Sequence, residues 1–224
     1  MRIARPYHLE LEYTREMLFG LLLKEKIKQP RKLLHVGLGT GSIAKFFYRH
    51  FPHSRNTIVE INPQIEWVAH QYFKLPDSSA RLHVITEDAA DFIGREDTPF
   101  DYIVLDGFDP QANSGRLNTS SFYQACRYRL AEEGVLAVNF LGRQGGAAQQ
   151  LTWLQDVFEG HVLALPPSES GNIIAFAHLA PTITVSLGQL QSHVDSVLKA
   201  YDLNLFPTLR RLQKGLPNLS WLRM

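Results

Sequence analysis

The run KLLHVGLGTGS, residues 32–42, decides the fold of this chain. Its first half, KLLHV, is a short apolar run with the length of a buried strand, and its second half is a glycine-rich loop. Helical spacing of apolar residues follows over residues 41–51. In α/β folds, a loop of this kind between a strand and a helix approaches a ligand at the carboxyl edge of a parallel sheet. The stretch therefore predicts a strand, a ligand-binding turn and a helix in that order.

The rest of the chain repeats this alternation. Further apolar, strand-like runs are predicted at 56–60, 82–85, 101–105 and 134–140, and helices at 63–73, 88–93, 119–130 and 146–158. Two more strands, 161–165 and 172–178, are separated only by a turn-rich PPSESG and should pair antiparallel. The pattern predicts an α/β, Rossmann-like fold with helices on both faces of a seven-stranded sheet. That sheet is mostly parallel with the last strand antiparallel, which resembles the class I methyltransferase fold.

The chain reads as one continuous domain, because glycine and proline fall singly and no repeat or low-complexity segment is present. We expect a helical lead-in over residues 1–30 and a Rossmann-like, nucleoside-binding catalytic domain over 31–180. The remaining residues, 181–224, are expected to form a helical tail packed on the same domain. In that tail, residues 186–201 carry apolar side chains at helical spacing.

Composition favours a small-molecule ligand and a cytoplasmic protein. The formal charge of +1 gives no reason to expect a nucleic-acid partner. The longest early apolar run, residues 17–23, is too short to cross a bilayer, so no membrane association is expected. The single cysteine, Cys126, lies among apolar positions of a predicted helix and is expected to be a buried thiol. The histidines lack acidic or cysteine neighbours at ligand spacing, so no metal is predicted.

The glycine loop and two carboxylates predict a nucleoside site. Gly37, Gly39 and Gly41 allow close backbone approach, but Ser42 stands where a dinucleotide-binding loop has its third glycine. S-adenosylmethionine is therefore the better candidate than NAD. Glu60 ends the second strand, where a carboxylate can accept hydrogen bonds from ribose hydroxyls. Asp88 follows the third strand and can accept from an adenine amino group, cap the next helix, or do both.

Several motifs resemble the spermidine synthase (polyamine aminopropyltransferase) family. The matching runs are VEINPQIEWVAHQYFKLP (59–76), HVITEDAADFI (83–93), FDYIVLDGFDP (100–110) and SFYQACRYRLAEEGVLAVN (121–139), within a match that spans about 12–140. The more specific elements are the aromatic-F-x-LP segment at 72–76 and the D-x-x-D-P at 106–110, because a general methyltransferase needs neither.

The resemblance implies a donor, an acceptor and the residues that serve them. The donor would be decarboxylated S-adenosylmethionine, or S-adenosylmethionine itself, and the acceptor a small amine; the oligomeric state stays open, with a homodimer as one option. By this resemblance Asp106 assists deprotonation of the attacking amine and Asp109 holds the acceptor. The implied donor-binding set is Gly37, Leu38, Gly39, Thr40, Gly41, Glu60, Ile61, Asp88, Ala89 and Asp106.

Three departures from the family pattern keep other functions open. Where the family loop carries an aspartate that contacts the donor's amine, this chain has Thr40, and Arg116 places a cation in the segment that frames the polyamine site. Both tolerate or attract a carboxylate, which favours a methyltransferase that uses ordinary S-adenosylmethionine. Only about 30 residues precede the first strand, where the family has a small β-domain. This favours a third option, a nucleoside-binding or partner-binding protein without catalysis.

Overall fold

The computed structural model describes residues 1–24, 27–95, 97–109, 114–141, 146–179, 184–215 and 221–223. A seven-stranded sheet forms its centre, with the order β3-β2-β1-β4-β5-β7-β6. The strands are β1 (Lys32–Val36), β2 (Arg55–Glu60), β3 (Leu82–Thr86), β4 (Phe100–Leu105), β5 (Leu130–Leu141), β6 (Val162–Ala164) and β7 (Asn172–His178). Neighbouring strands from β3 to β5 pair parallel, and β7 pairs antiparallel with both β5 and β6. The predicted class I methyltransferase-like fold, with its last strand reversed, is confirmed.

Helices cover both faces of this sheet. They are α1 (Glu12–Glu16), α2 (Ser42–His50), α3 (Pro63–Phe73), α4 (Ala89–Arg95), α5 (Ser120–Tyr128), α6 (Ala147–Val157), α7 (Leu187–Tyr201) and α8 (Phe206–Gly215), with short 3₁₀ helices at Phe19–Leu22 and Gly115–Leu117. Along β4, Tyr102 and Val104 pack into one core and Ile103 and Leu105 into the other. Strands buried on both faces must be apolar at consecutive positions, which is why these runs do not alternate in polarity. No helix in the described ranges has the length and hydropathy of a membrane crossing.

The start of β5 is where the predicted boundaries are wrong. The sequence predicts a helix to residue 130 and a strand from 134, whereas α5 ends at Tyr128 and β5 begins at Leu130. Leu130 pairs with Phe100 of β4, and the register then shifts across an irregular stretch. At Gly134 in this stretch, a β-carbon would lie 2.8 Å from the Phe100 carbonyl oxygen, so only glycine fits. Tertiary pairing of this kind leaves little trace in local periodicity.

The C-terminal segment contains the predicted helix and an additional small sheet. Helix α7 begins with a capping box, in which the Ser186 side chain accepts from the Gln189 backbone N–H and the Gln189 side chain reaches back. Leu190 and Val194 of α7 lie in the same hydrophobic core as Met17. Two short strands, β8 (Thr184–Ser186) and β9 (Trp221–Arg223), form an antiparallel pair that the prediction of a helical tail did not include.

Candidate active site

A cavity of about 540 Å³ opens at the carboxyl edge of the parallel strands. The segments that follow β1, β2, β3 and β4 form its walls. Strand β1 lies between β2 and β4 in the sheet. The chain therefore runs from β1 to β2 and β3 on one side of β1, and then crosses to β4 on its other side. Such a switch point opens a crevice at the strand ends. The volume lies in the range of small-molecule sites.

The glycine loop fits tightly against the end of β4. Gly37 has φ +90°, and a β-carbon there would lie 2.5 Å from the backbone oxygen of Asp106. Any side chain at residue 37 would therefore push the first and fourth strand ends apart. Gly41, with φ +66°, is the N-cap of α2, so the first backbone N–H groups of that helix have no helical acceptor. The loop thus brings backbone donors and a positive helix end to the cavity.

Two hydroxyl groups stand at the end of this loop. The Thr40 Oγ1 and Ser42 Oγ atoms are 2.8 Å apart, and both residues line the cavity. A hydroxyl group can donate to a carboxylate or accept from an ammonium group. Because neither residue is charged, these two side chains do not by themselves select between the two groups, whereas the positive end of α2 favours a carboxylate.

The Glu60 carboxylate lies at the end of β2, facing the glycine loop. Its Oε2 accepts the backbone N–H of Leu38 at 2.9 Å, and its Oε1 accepts that of Asn62 at 3.0 Å. Each carboxylate oxygen can accept a second hydrogen bond, so two acceptor positions remain for a pair of vicinal hydroxyls. Beside it, Ile61 is 68% exposed and offers an apolar wall to a flat ring.

Asp88 has protein partners on both carboxylate oxygens. Oδ1 accepts the backbone N–H of Ala90 at 2.8 Å, which is the helix-capping role that the sequence allows, and Oδ2 accepts from Arg116 at 2.8 Å. Arg116 also contacts both oxygens of Asp91, at 2.8 and 3.2 Å. The guanidinium of Arg116 thus lies between two carboxylates and does not act as an isolated cation at the cavity mouth. The inference that it would attract a further carboxylate is weakened accordingly.

Asp106 follows β4 directly, and its partly buried carboxylate lines the cavity. Its Oδ1 accepts the Asn139 side-chain amide at 2.7 Å, and the Tyr13 hydroxyl also hydrogen-bonds to the carboxylate. Burial raises the pKa of Asp106 to about 6, and the bonds from Asn139 and Tyr13 oppose that increase. Burial, followed by the Asp106 charge and hydrogen bond, raises the pKa of Tyr13. Asp106 is therefore mostly ionised at neutral pH and close enough to neutrality to accept a proton.

The structure brings nearly all the predicted site residues to one cavity. Those that line it are Gly37, Leu38, Gly39, Thr40, Glu60, Ile61, Asp88, Ala89, Asp106 and Asp109. Gly41, the other predicted residue of the glycine loop, does not line the cavity and faces Leu75, from which a β-carbon at residue 41 would be 2.9 Å away. Asp109 is exposed at the rim, and Pro110, the last residue of the D-x-x-D-P motif, lies outside the described residues.

Sequence reasoning missed two residues that contact Asp106. Tyr13 lies on the short helix α1 and belongs to no motif, so its role depends on where that helix packs. Asn139 is different, because an amide inside the apolar run VLAVNF of a buried strand is a polar group that needs a partner. A polar residue within an apolar strand is thus a signal from which Asn139 could have been predicted. The prediction that Cys126 is a buried thiol is confirmed, and His35 is a buried residue whose ring is hydrogen-bonded to Asn56.

Comparisons with known proteins give a consistent result. Residues 11–140 match the model of the spermine/spermidine synthase domain. The polyamine aminopropyltransferase of Neisseria meningitidis serogroup A is 30% identical over 218 residues, covering 97% of this chain and 82% of that protein.

Two solved structures show the same fold. Human methyltransferase-like protein 13, in complex with SAH, is 29% identical with a TM-score of 0.74, covering 89% of this chain and 93% of that one. A spermidine synthase in complex with the transition state analogue AdoDATO is 20% identical with a TM-score of 0.66, covering 94% and 76% respectively.

Proposed function

Because the chain belongs to the spermine/spermidine synthase family, we propose that it is an aminopropyltransferase that moves a three-carbon amine from decarboxylated S-adenosylmethionine to an amine acceptor. The observation that carries the proposal is the Asp106 carboxylate, which lies in the same cavity as the glycine loop and Glu60. A nucleoside site alone would serve many reactions. A partly buried carboxylate beside it, with a pKa of about 6, suits the removal of a proton from an amine.

The nucleoside end of the donor would lie between Glu60 and Asp88. Glu60 has two free acceptor positions for the ribose hydroxyls, and the exposed side chain of Ile61 can pack against the adenine ring. Asp88, held in place by Ala90 and Arg116, can accept from the adenine amino group with a remaining lone pair. The sulfonium end would then lie near the glycine loop, with its reactive carbon directed toward Asp106.

The acceptor must arrive as a cation and react as a neutral amine. An alkyl amine has a pKa near ~10, so almost all of it is protonated at neutral pH. The carboxylates of Asp106 and Asp109 can attract this ammonium group, and Asp106 can then take its proton. The freed nitrogen lone pair forms the new N–C bond beside the sulfonium. The C–S bond breaks with its electron pair going to sulfur, and neutral methylthioadenosine leaves.

Product analysis tests this proposal. The protein is incubated with decarboxylated S-adenosylmethionine or S-adenosylmethionine and a panel of diamines and monoamines, and the products are measured by mass spectrometry. We expect methylthioadenosine and an aminopropylated amine with the decarboxylated donor, and far less of both products with Asp106→Asn at neutral pH. Asp97→Asn is a suitable control, because Asp97 is exposed, forms an ion pair with Arg129 and does not line the cavity. If neither donor is consumed with any acceptor, the protein is a binding protein and the proposal is wrong.

A methyltransferase is the second candidate, favoured by one observation at the loop. The hydroxyl groups of Thr40 and Ser42 stand where they can donate to the carboxylate of ordinary S-adenosylmethionine. The likeness to human methyltransferase-like protein 13 in complex with SAH supports the same option. In the experiment above, this function would give S-adenosylhomocysteine and a methylated acceptor.

A further inference from the structure

A chain of side-chain hydrogen bonds leads away from Asp106 into the sheet. The Asn139 amide nitrogen donates to Asp106 Oδ1 at 2.7 Å, and the Asn172 amide nitrogen donates to Asn139 Oδ1 at 2.9 Å. The Ser170 hydroxyl then donates to Asn172 Oδ1 at 2.7 Å. Ser168 completes the chain, because its Oγ lies 2.8 Å from that of Ser170 and accepts the backbone N–H of Asn172.

All the amide groups of this chain point in one direction. An ionised carboxylate can only accept hydrogen bonds, so Asn139 must turn its NH₂ group toward Asp106 and its oxygen away. The Asn139 oxygen needs a donor, so Asn172 must turn its NH₂ group toward Asn139 and its own oxygen away. The Asn172 oxygen in turn accepts the hydroxyl proton of Ser170. The bond dipoles therefore align with their positive ends toward the carboxylate. In a low-dielectric interior, aligned hydrogen bonds strengthen one another.

The two asparagines are buried where the fold alone would favour apolar side chains. Asn139 is 2% exposed on β5, and Asn172 is 8% exposed at the start of its antiparallel partner β7. The neighbouring Val138 and Phe140 of β5 are fully buried and apolar. Burying an amide lowers stability unless its hydrogen bonds are satisfied. Here each amide both donates and accepts within the chain: Asn139 donates to Asp106 and accepts from Asn172, which in turn accepts from Ser170.

We propose that Asn139, Asn172 and Ser170 form a positioning chain that holds the Asp106 carboxylate in one orientation, favours its ionised form, and joins it to the turn between β6 and β7. The catalytic meaning of this chain rests on the proposed role of Asp106 as the base. Amide groups do not pass protons along as hydroxyl or imidazole groups do, so the chain orients Asp106 and does not carry its proton. The three residues are positioning residues, because none of them accepts the proton itself.

The other ionisable groups around Asp106 belong to the cavity walls. Among the described residues they are Tyr13 on α1, His35 on β1, Glu60 at the end of β2, Glu87 and Asp88 after β3, and Asp109 and Arg116 after β4. Of the described residues, β5 and β7 bring the amides of Asn139 and Asn172 beside Asp106, while Glu132 and Glu133 of β5 and His178 of β7 lie toward the opposite ends of those strands. Glu169 of the turn is exposed. Variants in the chain therefore leave these ionisable neighbours of Asp106 unchanged. A change in its ionisation can then be assigned to the lost hydrogen bonds.

The test measures the ionisation of Asp106 directly and through catalysis. The variants Asn139→Leu, Asn172→Leu and Ser170→Ala are compared with Asn118→Leu. Asn118 is a matched control, since it is also a buried amide, but it accepts from the Tyr123 hydroxyl and does not touch the chain. The Asp106 carboxyl carbon is followed by ¹³C NMR over a pH series, with its signal assigned from Asp106→Asn. Turnover with a confirmed acceptor is measured over the same series.

We expect a graded response along the chain. Loss of the Asn139 bond should move the Asp106 midpoint upward by about 1–2 pH units, the typical effect of a hydrogen bond to a charged group. Loss of Asn172 should move it by roughly 0.2–0.5 unit, since its effect is transmitted through Asn139. Ser170→Ala, at an exposed position, should have the smallest effect, and Asn118→Leu none. The acid limb of the turnover profile should move by the same amounts.

The outcomes separate this inference from the proposed function. An unchanged midpoint in Asn172→Leu, with the protein folded by circular dichroism, would overturn the positioning chain even if Asp106 is the base. A moved NMR midpoint with full activity in Asp106→Asn would support the chain and overturn the catalytic role. If Asn139→Leu does not fold, the Asn172 and Ser170 variants still decide the question.

Discussion

Replacing Asp106 with asparagine is the sharpest test of the proposed base. The substitution keeps the size of the side chain and its place between Tyr13 and Asn139, but the amide cannot take a proton. Wild-type Asp106, with a pKa of about 6, is about 90% ionised at pH 7. Wild-type turnover at saturating acceptor should therefore be near its plateau at pH 7, half-maximal near pH 6, and lower by about tenfold for each further unit.

The variant should differ from the wild type in both level and pH dependence. Turnover at pH 7 should fall by roughly 10²–10⁴-fold, the usual contribution of a general base, and the acid limb near pH 6 should disappear. Raising the pH should partly restore activity, because the neutral fraction of an amine with a pKa near ~10 grows about tenfold per unit. Donor binding, measured by calorimetry with methylthioadenosine, should stay within about twofold of the wild type.

Asp109→Asn provides the comparison that separates proton removal from acceptor binding. Asp109 is exposed at the rim, so we expect its loss to raise the KM for a cationic amine more than it lowers turnover. The measurement is the rate of methylthioadenosine formation over a matrix of acceptor concentration and pH. Full turnover by Asp106→Asn at pH 7 with a confirmed acceptor would refute the assignment of Asp106 as the general base. If the acid limb near pH 6 survives in Asp106→Asn, that limb belongs to another ionisable group.

Three further predictions concern the donor site and the fold. Glu60→Ala should abolish most of the thermal stabilisation by methylthioadenosine, because the ribose acceptor positions are lost; unchanged stabilisation would exclude this site. Thr40→Asp should shift the ratio of the two donor affinities toward the decarboxylated form, since a carboxylate repels the donor's own carboxylate; calorimetry showing equal effects would mean that residue 40 does not face the donor's arm. Burial lowers the pKa of His178 to about 4 from 6.5, so the unfolded chain binds this proton first and stability is lost as pH falls from 6.5 to 4. His178→Leu should reduce that loss by about 2 kcal/mol between pH 7 and pH 4.5, measured by urea titration at each pH. Identical pH dependence in both proteins would contradict this.

The sequence could predict the sheet and the nucleoside side of the site because these depend on local order. Apolar runs separated by helical periodicity specify parallel strands buried on both faces, and the reversal at β7 follows from a direct turn between two strands. Parallel strands place their following loops at one edge, so the glycine loop, Glu60, Asp88 and Asp106 had to converge once the strand order was right. The pairing that starts β5 at Leu130, by contrast, depends on contact with Phe100, which local periodicity does not encode.

The environment of each functional group was decided only by the tertiary structure. Arg116, isolated in sequence, lies between Asp88 and Asp91 because a 3₁₀ turn after β4 meets helix α4. Tyr13 of α1 reaches Asp106 across 93 residues of sequence, because the folded chain brings its hydroxyl to the residue that follows β4. The sequence by itself thus determined which side chains at the strand ends meet at the cavity, through the period and direction of its strands. Their charges and orientations came from contacts between distant segments, because burial and hydrogen bonding depend on what the folded chain places beside each group.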